Sequence, residues 1–265
     1  MRLTPMKIDN EMYFRKDYDW WDPSDDSTNA LLRRIINPIR FAYFTRVSRE
    51  RLGEPKPGQR ILEVGSGGGF LAEEFARIGF DVTGIDPAER SILSARAHAR
   101  KSNLRIDYRE GHGEALPFES SSFDFVACCD VLEHVDDLTK VIREIARVLR
   151  SGGLFFYDTV NRTFFAWLLV IKVAQDWKLT AWEEPRTHDW RKFVKPSELC
   201  DAMRGAGLLN QETKGICSRA SLLSSLRNVR RRARGEITRL EMSTRLRLLE
   251  GDDVSTSYMG WALKA

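Results

Sequence analysis

Only four cysteines occur in the 265 residues, and none of them falls in a C-x-x-C spacing. Cys128 and Cys129 are adjacent inside an apolar run, where thiols behave as small hydrophobes. This usage argues against a thiolate metal cluster or a disulfide framework and leads to the expectation of a reducing, cytoplasmic setting. Long hydrophobic runs are missing as well. The most apolar stretch, Phe164 to Trp182, is uninterrupted only from Phe164 to Ile171, far short of the ~20 residues that span a bilayer. The opening MRLTPMKIDNEMYF lacks the apolar centre and cleavage-like site of a secretory signal. Net charge is small, at +4, which argues against a dedicated binder of nucleic acid.

The charge that is present is unevenly placed. Between Arg219 and Arg247 nine arginines face only Glu236 and Glu241, a local excess of seven, which leaves the rest of the chain at net −3. Within Phe164 to Trp182, Lys172, Gln175 and Asp176 fall on one side of a helix and leave a broad apolar face opposite. Such a segment can cover a pocket or lie on an anionic membrane with help from the arginines. The bland alternative is a core helix beside a solvated charged one.

From Arg60 short apolar strands alternate with longer helical stretches. RILEVG, FDVTGID, LRIDYREG, FDFVACCDV and LFFYDTV read as strands. DLTKVIREIARVLRSGG reads as a helix, with Val141, Ile145, Val148 and Leu149 as its apolar stripe and Lys140, Arg143, Glu144 and Arg147 facing water. This alternation predicts an α/β fold, a doubly wound and mostly parallel sheet with helices on both faces. After Val160 the pattern breaks. A helix from about Pro196 to Met203 precedes the strand LLNQETKGI, the arginine-rich stretch reads as helical or partly disordered, and VSTSYMGWALKA reads as a closing strand.

In a doubly wound sheet ligands sit beyond the carboxyl ends of the strands, at the switch point. There the sequence has GSGGG, Gly65 to Gly69, with Glu63 two residues before it. Gly65 and Gly67 allow a tight turn and a close backbone approach to a ligand. The second strand ends in Asp86, placed to accept hydrogen bonds from ribose hydroxyls, which both NAD and S-adenosylmethionine (SAM) carry. A third fingerprint glycine would serve packing over a pyrophosphate, but Phe70 stands in its position, and SAM has no pyrophosphate. After the third strand, EGHGEALPF supplies His112, the small Gly113 and an apolar loop suited to an adenine ring. These features favour SAM over a nicotinamide.

With LEVGSGGG, Asp86 and CDVLEHV in place, the sequence resembles the class I SAM-dependent methyltransferases, which implies a Rossmann-like seven-stranded sheet. YDWWDPSDDSTNALLRRIINPIRFAYF, NRTFFAWLL, THDWRKFVKPSEL and VSTSYM are similar to the ubiquinone-biosynthesis O-methyltransferase family. That family methylates catechol-type hydroxyls on rings with a polyprenyl tail. The resemblance implies SAM contacts at Arg40, Gly65, Asp86 and Cys129, and, for members that use a divalent cation such as Mg²⁺, ligands at Asp130, Glu133 and His134. On a helical turn these three share one face by their spacing, although Glu and His of this motif also serve as scaffold in metal-free methyltransferases. His134 or His188 can instead act as general base, with Glu133 beside them. The family's loop on the ring side is not recognisable, and the arginine-rich stretch stands in its place.

The expectation is therefore a single SAM-dependent O-methyltransferase domain over 1–265. It comprises an N-terminal helical cap (1–58), a SAM core (59–160), substrate-side insertions (161–253, including the apolar segment 164–182 and the arginine-rich 219–247) and a closing strand (254–265). The acceptor is a hydrophobic, hydroxylated small molecule. An O-methyltransferase of another natural product, a nucleic-acid methyltransferase and a non-catalytic SAM-binding module are the alternatives. No nucleic-acid partner is expected, since an N-P-P-Y-type grip on a flipped base is missing.

Overall fold

The computed structural model describes residues 19–177, 180–181 and 186–265. The opening fourteen residues and Trp182, both used above, lie outside them. The central sheet is built from β1 (Arg60–Val64), β2 (Asp81–Asp86), β3 (Ile106–Glu110), β4 (Phe123–Cys129), β5 (Leu149–Val160), β6 (Leu208–Ser218), β7 (Leu248–Gly251) and β8 (Ser257–Lys264), in the order β3-β2-β1-β4-β5-β8-β6-β7. The first five pair in parallel. β8 enters antiparallel beside β5, and β6 and β7 extend that antiparallel half. Among the described residues the sheet thus has eight strands rather than the expected seven. The addition is β7, a four-residue edge strand formed by the end of the arginine-rich stretch.

Alternation along the central strands divides the core. Leu62, Val64 and Val126 point to one face, against Val141 and Ile145 of helix Leu138–Val148 and Leu199 and Met203 of helix Pro196–Gly205. Ile61 and Phe125 point to the other, against Phe44, Val47, Phe75 and Ile92. Both faces are covered over the middle of the sheet, so β1 and β4 are mostly apolar there. The helix Leu138–Val148 starts at Asp137, whose carboxylate caps Lys140 N–H at 3.0 Å. Pro196 opens the next helix at a position where a missing N–H costs nothing.

Helix α1 (Thr28–Leu31) passes through a π-helical turn (Leu32–Ile36) into α2 (Asn37–Leu52), which carries Asn37 and Arg40 to the carboxyl edge of the sheet. The arginine-rich stretch forms two further helices, Leu222–Ala233 and Arg239–Leu246. They are tied to the loop before α1 through Arg239 N–H to Asp26 (3.0 Å) and Leu240 N–H to the Asp25 carbonyl (3.0 Å).

The apolar segment begins as a short helix, Phe164–Ala166, and continues as a π-helix, Trp167–Asp176. Gln175 does not share a solvent face with Lys172 and Asp176. It is buried, because its side chain accepts from His188 N–H at 2.8 Å and donates to the His188 carbonyl at 3.4 Å. The wider π-helical turn rotates it inward from where a 3.6-residue period puts it. Phe164 (71% exposed) and Phe165 (45%) face outward, whereas Trp167 is half-buried. Among the described residues no helix is long and apolar enough to cross a membrane.

Candidate active site

A cavity of about 970 Å³ opens beyond the carboxyl ends of β1, β2 and β4. Its floor is the glycine turn. Gly65 and Ser66 donate their N–H groups to the Ile85 carbonyl at 2.8 and 3.0 Å, stitching the turn to β2. Gly65 has φ +76°, and a Cβ there would overlap the Val131 side chain. Gly67 has φ +49°, and its Cβ would lie 2.6 Å from the Trp20 ring. No larger residue fits either place. Phe70 begins the helix Phe70–Arg77, where its ring supports Trp20 and Trp21 edge-on at 5.7 and 4.7 Å.

Asp86 closes β2 with its carboxylate accepting from Gly67 N–H and Ala88 N–H, both at 2.9 Å. Burial raises its pKa to about 6, against the lowering effect of these two bonds. Glu63, on β1 beneath the turn, is pushed by burial to about 8, and its Oε2 has no partner. His112, Gly113 and Cys129 line the same cavity, and burial holds the Cys129 thiol well above its ordinary value.

Arg40 lies almost fully buried between two carboxylates. It donates to Asp130 and Asp158 at 2.6 Å each and to Asn37 Oδ1 at 3.1 Å. Burial alone would raise both carboxyls. At Asp130 the guanidinium more than reverses that effect, while Asp158 remains raised to about 7. Asp130 therefore carries the anion of the cluster. Its backbone lies in the left-handed region, with φ +54°.

Residues 130–136 form a loop rather than a helical turn, closed by His134 N–H to the Val131 carbonyl at 2.8 Å. The expected shared face of Asp130, Glu133 and His134 is accordingly absent. Glu133 turns inward and accepts from Thr159 Oγ1 at 2.7 Å, and burial lifts it to about 8. His134 faces the cavity, its ring centroid 5.4 Å from that of His188. Donor atoms of Glu133, His134 and His188 all lie within 4.8 Å of one another. Burial lowers His134 to about 3 and His188 to about 4, so both are neutral at physiological pH, and each has a buried Nδ1 without a partner.

The sequence-derived residues thus gather around one cavity, with Glu133 and His188 just behind its wall. Asp130, one of the implied ligands, is ion-paired with Arg40 at 2.6 Å. Several participants were not singled out from sequence. Trp20 lies on the glycine turn. Asp158 and Thr159 serve Arg40 and Glu133, and Lys192 donates to the His134 and Val135 carbonyls (3.3 and 3.2 Å) and to Asp136 (2.9 Å). A signal existed for two of them, since Asp158 and Thr159 are polar residues at the carboxyl end of an apolar strand.

Comparison with known proteins agrees with this geometry. Residues 62–157 match a family model described as a methyltransferase domain. A ubiquinone biosynthesis O-methyltransferase of Methylocella silvestris is 42% identical over 226 residues, covering 80% of this chain and 86% of its own. One from Methylobacterium sp. strain 4-46 is 38% identical over 203 residues, covering 74% and 80%. Among solved structures, the PH0226 protein of Pyrococcus horikoshii superposes with a TM-score of 0.58 at 15% identity, covering 91% of this chain and 94% of that one. This last likeness speaks for the fold.

Proposed function

The chain belongs to the ubiquinone biosynthesis O-methyltransferase family, and from that premise we propose that it methylates a phenol- or catechol-type hydroxyl on an apolar ring-bearing small molecule. It is a SAM-dependent O-methyltransferase. The names of its relatives do not favour the alternative of an unrelated natural-product acceptor. The observation that carries the acceptor reading is the placement of His134: a neutral imidazole on the wall of the same cavity that the glycine turn and Asp86 line.

In this reading Asp86 would accept hydrogen bonds from the ribose hydroxyls of SAM, His112 and Gly113 would flank its adenine, and Gly65 to Gly67 with Arg40 and Cys129 would hold its methionine portion. The bare backbone of the turn allows that close approach. The acceptor enters from the His134 side. Its hydroxyl proton passes to His134, the oxygen attacks the methyl carbon in line with the S–CH₃ bond, and sulfur keeps the bonding pair. S-adenosylhomocysteine (SAH), the methyl ether and a proton are the products. Alignment of the two reactants supplies much of the rate, and because burial lowers His134 to about 3, its proton acceptance contributes less than that of a base poised near the working pH. A divalent cation beside Glu133 would, when bound, lower the hydroxyl's pKa. In the Mg²⁺ set implied by the resemblance, Asp130 is the member held by Arg40.

The same proposal includes a cytoplasmic enzyme that meets its apolar acceptor at an anionic membrane surface. Support comes from the outward Phe164 and Phe165, from the arginine-rich helices and from four free cysteines. The test is turnover of His134→Ala with labelled SAM and a panel of catechols and quinols. Transfer should fall while SAH affinity stays unchanged. Unimpaired transfer removes His134 from the chemistry.

A further inference from the structure

We propose that Trp20 contacts the cofactor as one wall of the SAM site, and that the arginine-rich helices hold it there by clasping the acidic loop that carries it. This assignment rests on the reading of the cavity as a SAM site, and it gives the arginine-rich stretch a part in cofactor retention.

The glycine turn is shaped to seat an indole. A Cβ on Gly67 would lie 2.6 Å from the Trp20 ring, and one on Gly68 would lie 2.5 Å from the Trp20 Cβ. Trp20 therefore fills the side on which both glycines are bare. Its Nε1–H donates to Ser91 Oγ at 3.0 Å, on helix Glu89–Lys101. The ring thus bridges the turn and the start of that helix, and the two N–H groups that hold the Asp86 carboxylate, those of Gly67 and Ala88, lie at the same two places. Trp20, Asp86 and Ala88 line one cavity. A ribose held by Asp86 has the indole as a neighbour.

Trp21 anchors the seat. Its Nε1–H donates to the Gly68 carbonyl at 3.0 Å. Its ring stacks on His98 with centroids 3.2 Å apart and planes inclined by 3°. His98 Nδ1 in turn lies 2.7 Å from the fully buried Glu73.

A few residues further on, the same loop meets the arginine-rich stretch. Asp26 accepts from Arg239 N–H at 3.0 Å, in the first turn of helix Arg239–Leu246, where the helix dipole favours an anion. Arg232 adds an ion pair to Asp26 at 3.4 Å, and Leu240 N–H donates to the Asp25 carbonyl at 3.0 Å. The loop is fixed at both ends, by the tryptophans on the glycine turn and by these helices. Asp26 and Arg232 are positioning residues that act through Trp20.

With the acceptor at the His134 end, SAM enters and SAH leaves past this wall. An aromatic wall slows departure more than arrival, since affinity differences within one site reside mostly in the dissociation rate.

Stopped-flow tryptophan fluorescence of the full-length protein with SAH tests this, with circular dichroism to verify that each variant is folded. Binding should change the emission of wild type, and Trp20→Phe should lose most of that change while keeping affinity within about threefold. Trp20→Ala should release SAH ~10–100-fold faster, with the association rate altered far less. Gly68→Ala should unseat the ring and speed release in the same way with Trp20 itself intact, because its backbone lies outside the left-handed region and the added Cβ meets Trp20. Asp26→Ala should speed release ~3–10-fold. That effect should vanish in a Trp20→Ala background, where a merely structural role would persist. Release at the wild-type rate from both Trp20→Ala and Gly68→Ala overturns the assignment of Trp20, and additive effects of Asp26→Ala and Trp20→Ala overturn the clasp. Failure of the wild-type protein to bind SAH would count instead against the SAM site, and so against the functional reading.

Discussion

Replacing Arg40 by Met keeps most of the side chain's volume and removes the guanidinium that pairs with both Asp130 and Asp158. Deleting one partner of a buried ion pair typically costs ~3–5 kcal/mol, because the other charge is left without compensation. The lower part of that range applies here, since the Asp130 side chain keeps 38% of its surface open to the cavity and water can reach it. Asp158, at 1% exposed, is raised by burial to about 7 and keeps its proton below that. The loss should depend on pH in a definite direction. Without Arg40, burial raises the folded-state pKa of Asp130 above its unfolded value. A group raised in this way contributes stability that is full below the unfolded pKa, near 4, and is lost as pH rises through the folded one. Each unit of pH costs ~1.4 kcal/mol per proton retained. Halving this for the partial exposure of Asp130, the deficit should grow by on the order of 2 kcal/mol between pH 5 and pH 8. At ~2–4 °C per kcal/mol for a chain of this size, the melting temperature at pH 8 should fall by ~6–12 °C. Urea denaturation of both proteins at several pH values measures it. A deficit that is flat with pH would refute the assignment of an ionised Asp130 held by Arg40.

Two further outcomes follow from the same geometry. SAH should bind most tightly when Asp86 is ionised, so calorimetry should show affinity falling by up to ~tenfold per unit below pH 6, where burial has moved that carboxyl, and Asp86→Asn should remove this dependence. The double change Phe164→Ser, Phe165→Ser should abolish sedimentation with anionic vesicles and methyl transfer to a long-tailed acceptor while sparing a short, water-soluble one. Equal loss on both acceptors would assign the segment to the pocket instead.

How far the fold is legible in the sequence differs along the chain. From Arg60 to Val160 each strand and helix is spelled by its own periodicity, and the helix Leu138–Val148 buries Val141, Ile145 and Val148 as its spacing requires. The later half is less legible for physical reasons. β7 is short and half-buried at a sheet edge, and it follows nine arginines that dominate any pattern. The π-helix breaks the 3.6-residue arithmetic on which the facing of Gln175 depended. At the site, residue identities were readable but their pairings were not. Asp130, Glu133 and His134 are neighbours in sequence, yet the first pairs with Arg40 and the other two lie beside His188. His188 comes from a segment more than fifty residues away in sequence. Such partnerships arise from tertiary packing, which local spacing does not encode.

β8 lies between β5 and β6, although it follows both in the chain. During synthesis β5 therefore presents an unpaired edge, with Phe155, Phe156 and Tyr157 beside it, until roughly a hundred further residues have been made. β6 and β7 can form a hairpin-like pair in that interval but have no place in the sheet. Loop-closure entropy makes such a distant pairing slow, and an open apolar edge invites other chains. The newly made protein is thus most vulnerable to aggregation on the ribosome between the completion of β5 and the emergence of Ser257 to Lys264. A chain shortened before that strand would be left with its cofactor half intact and an edge that never closes.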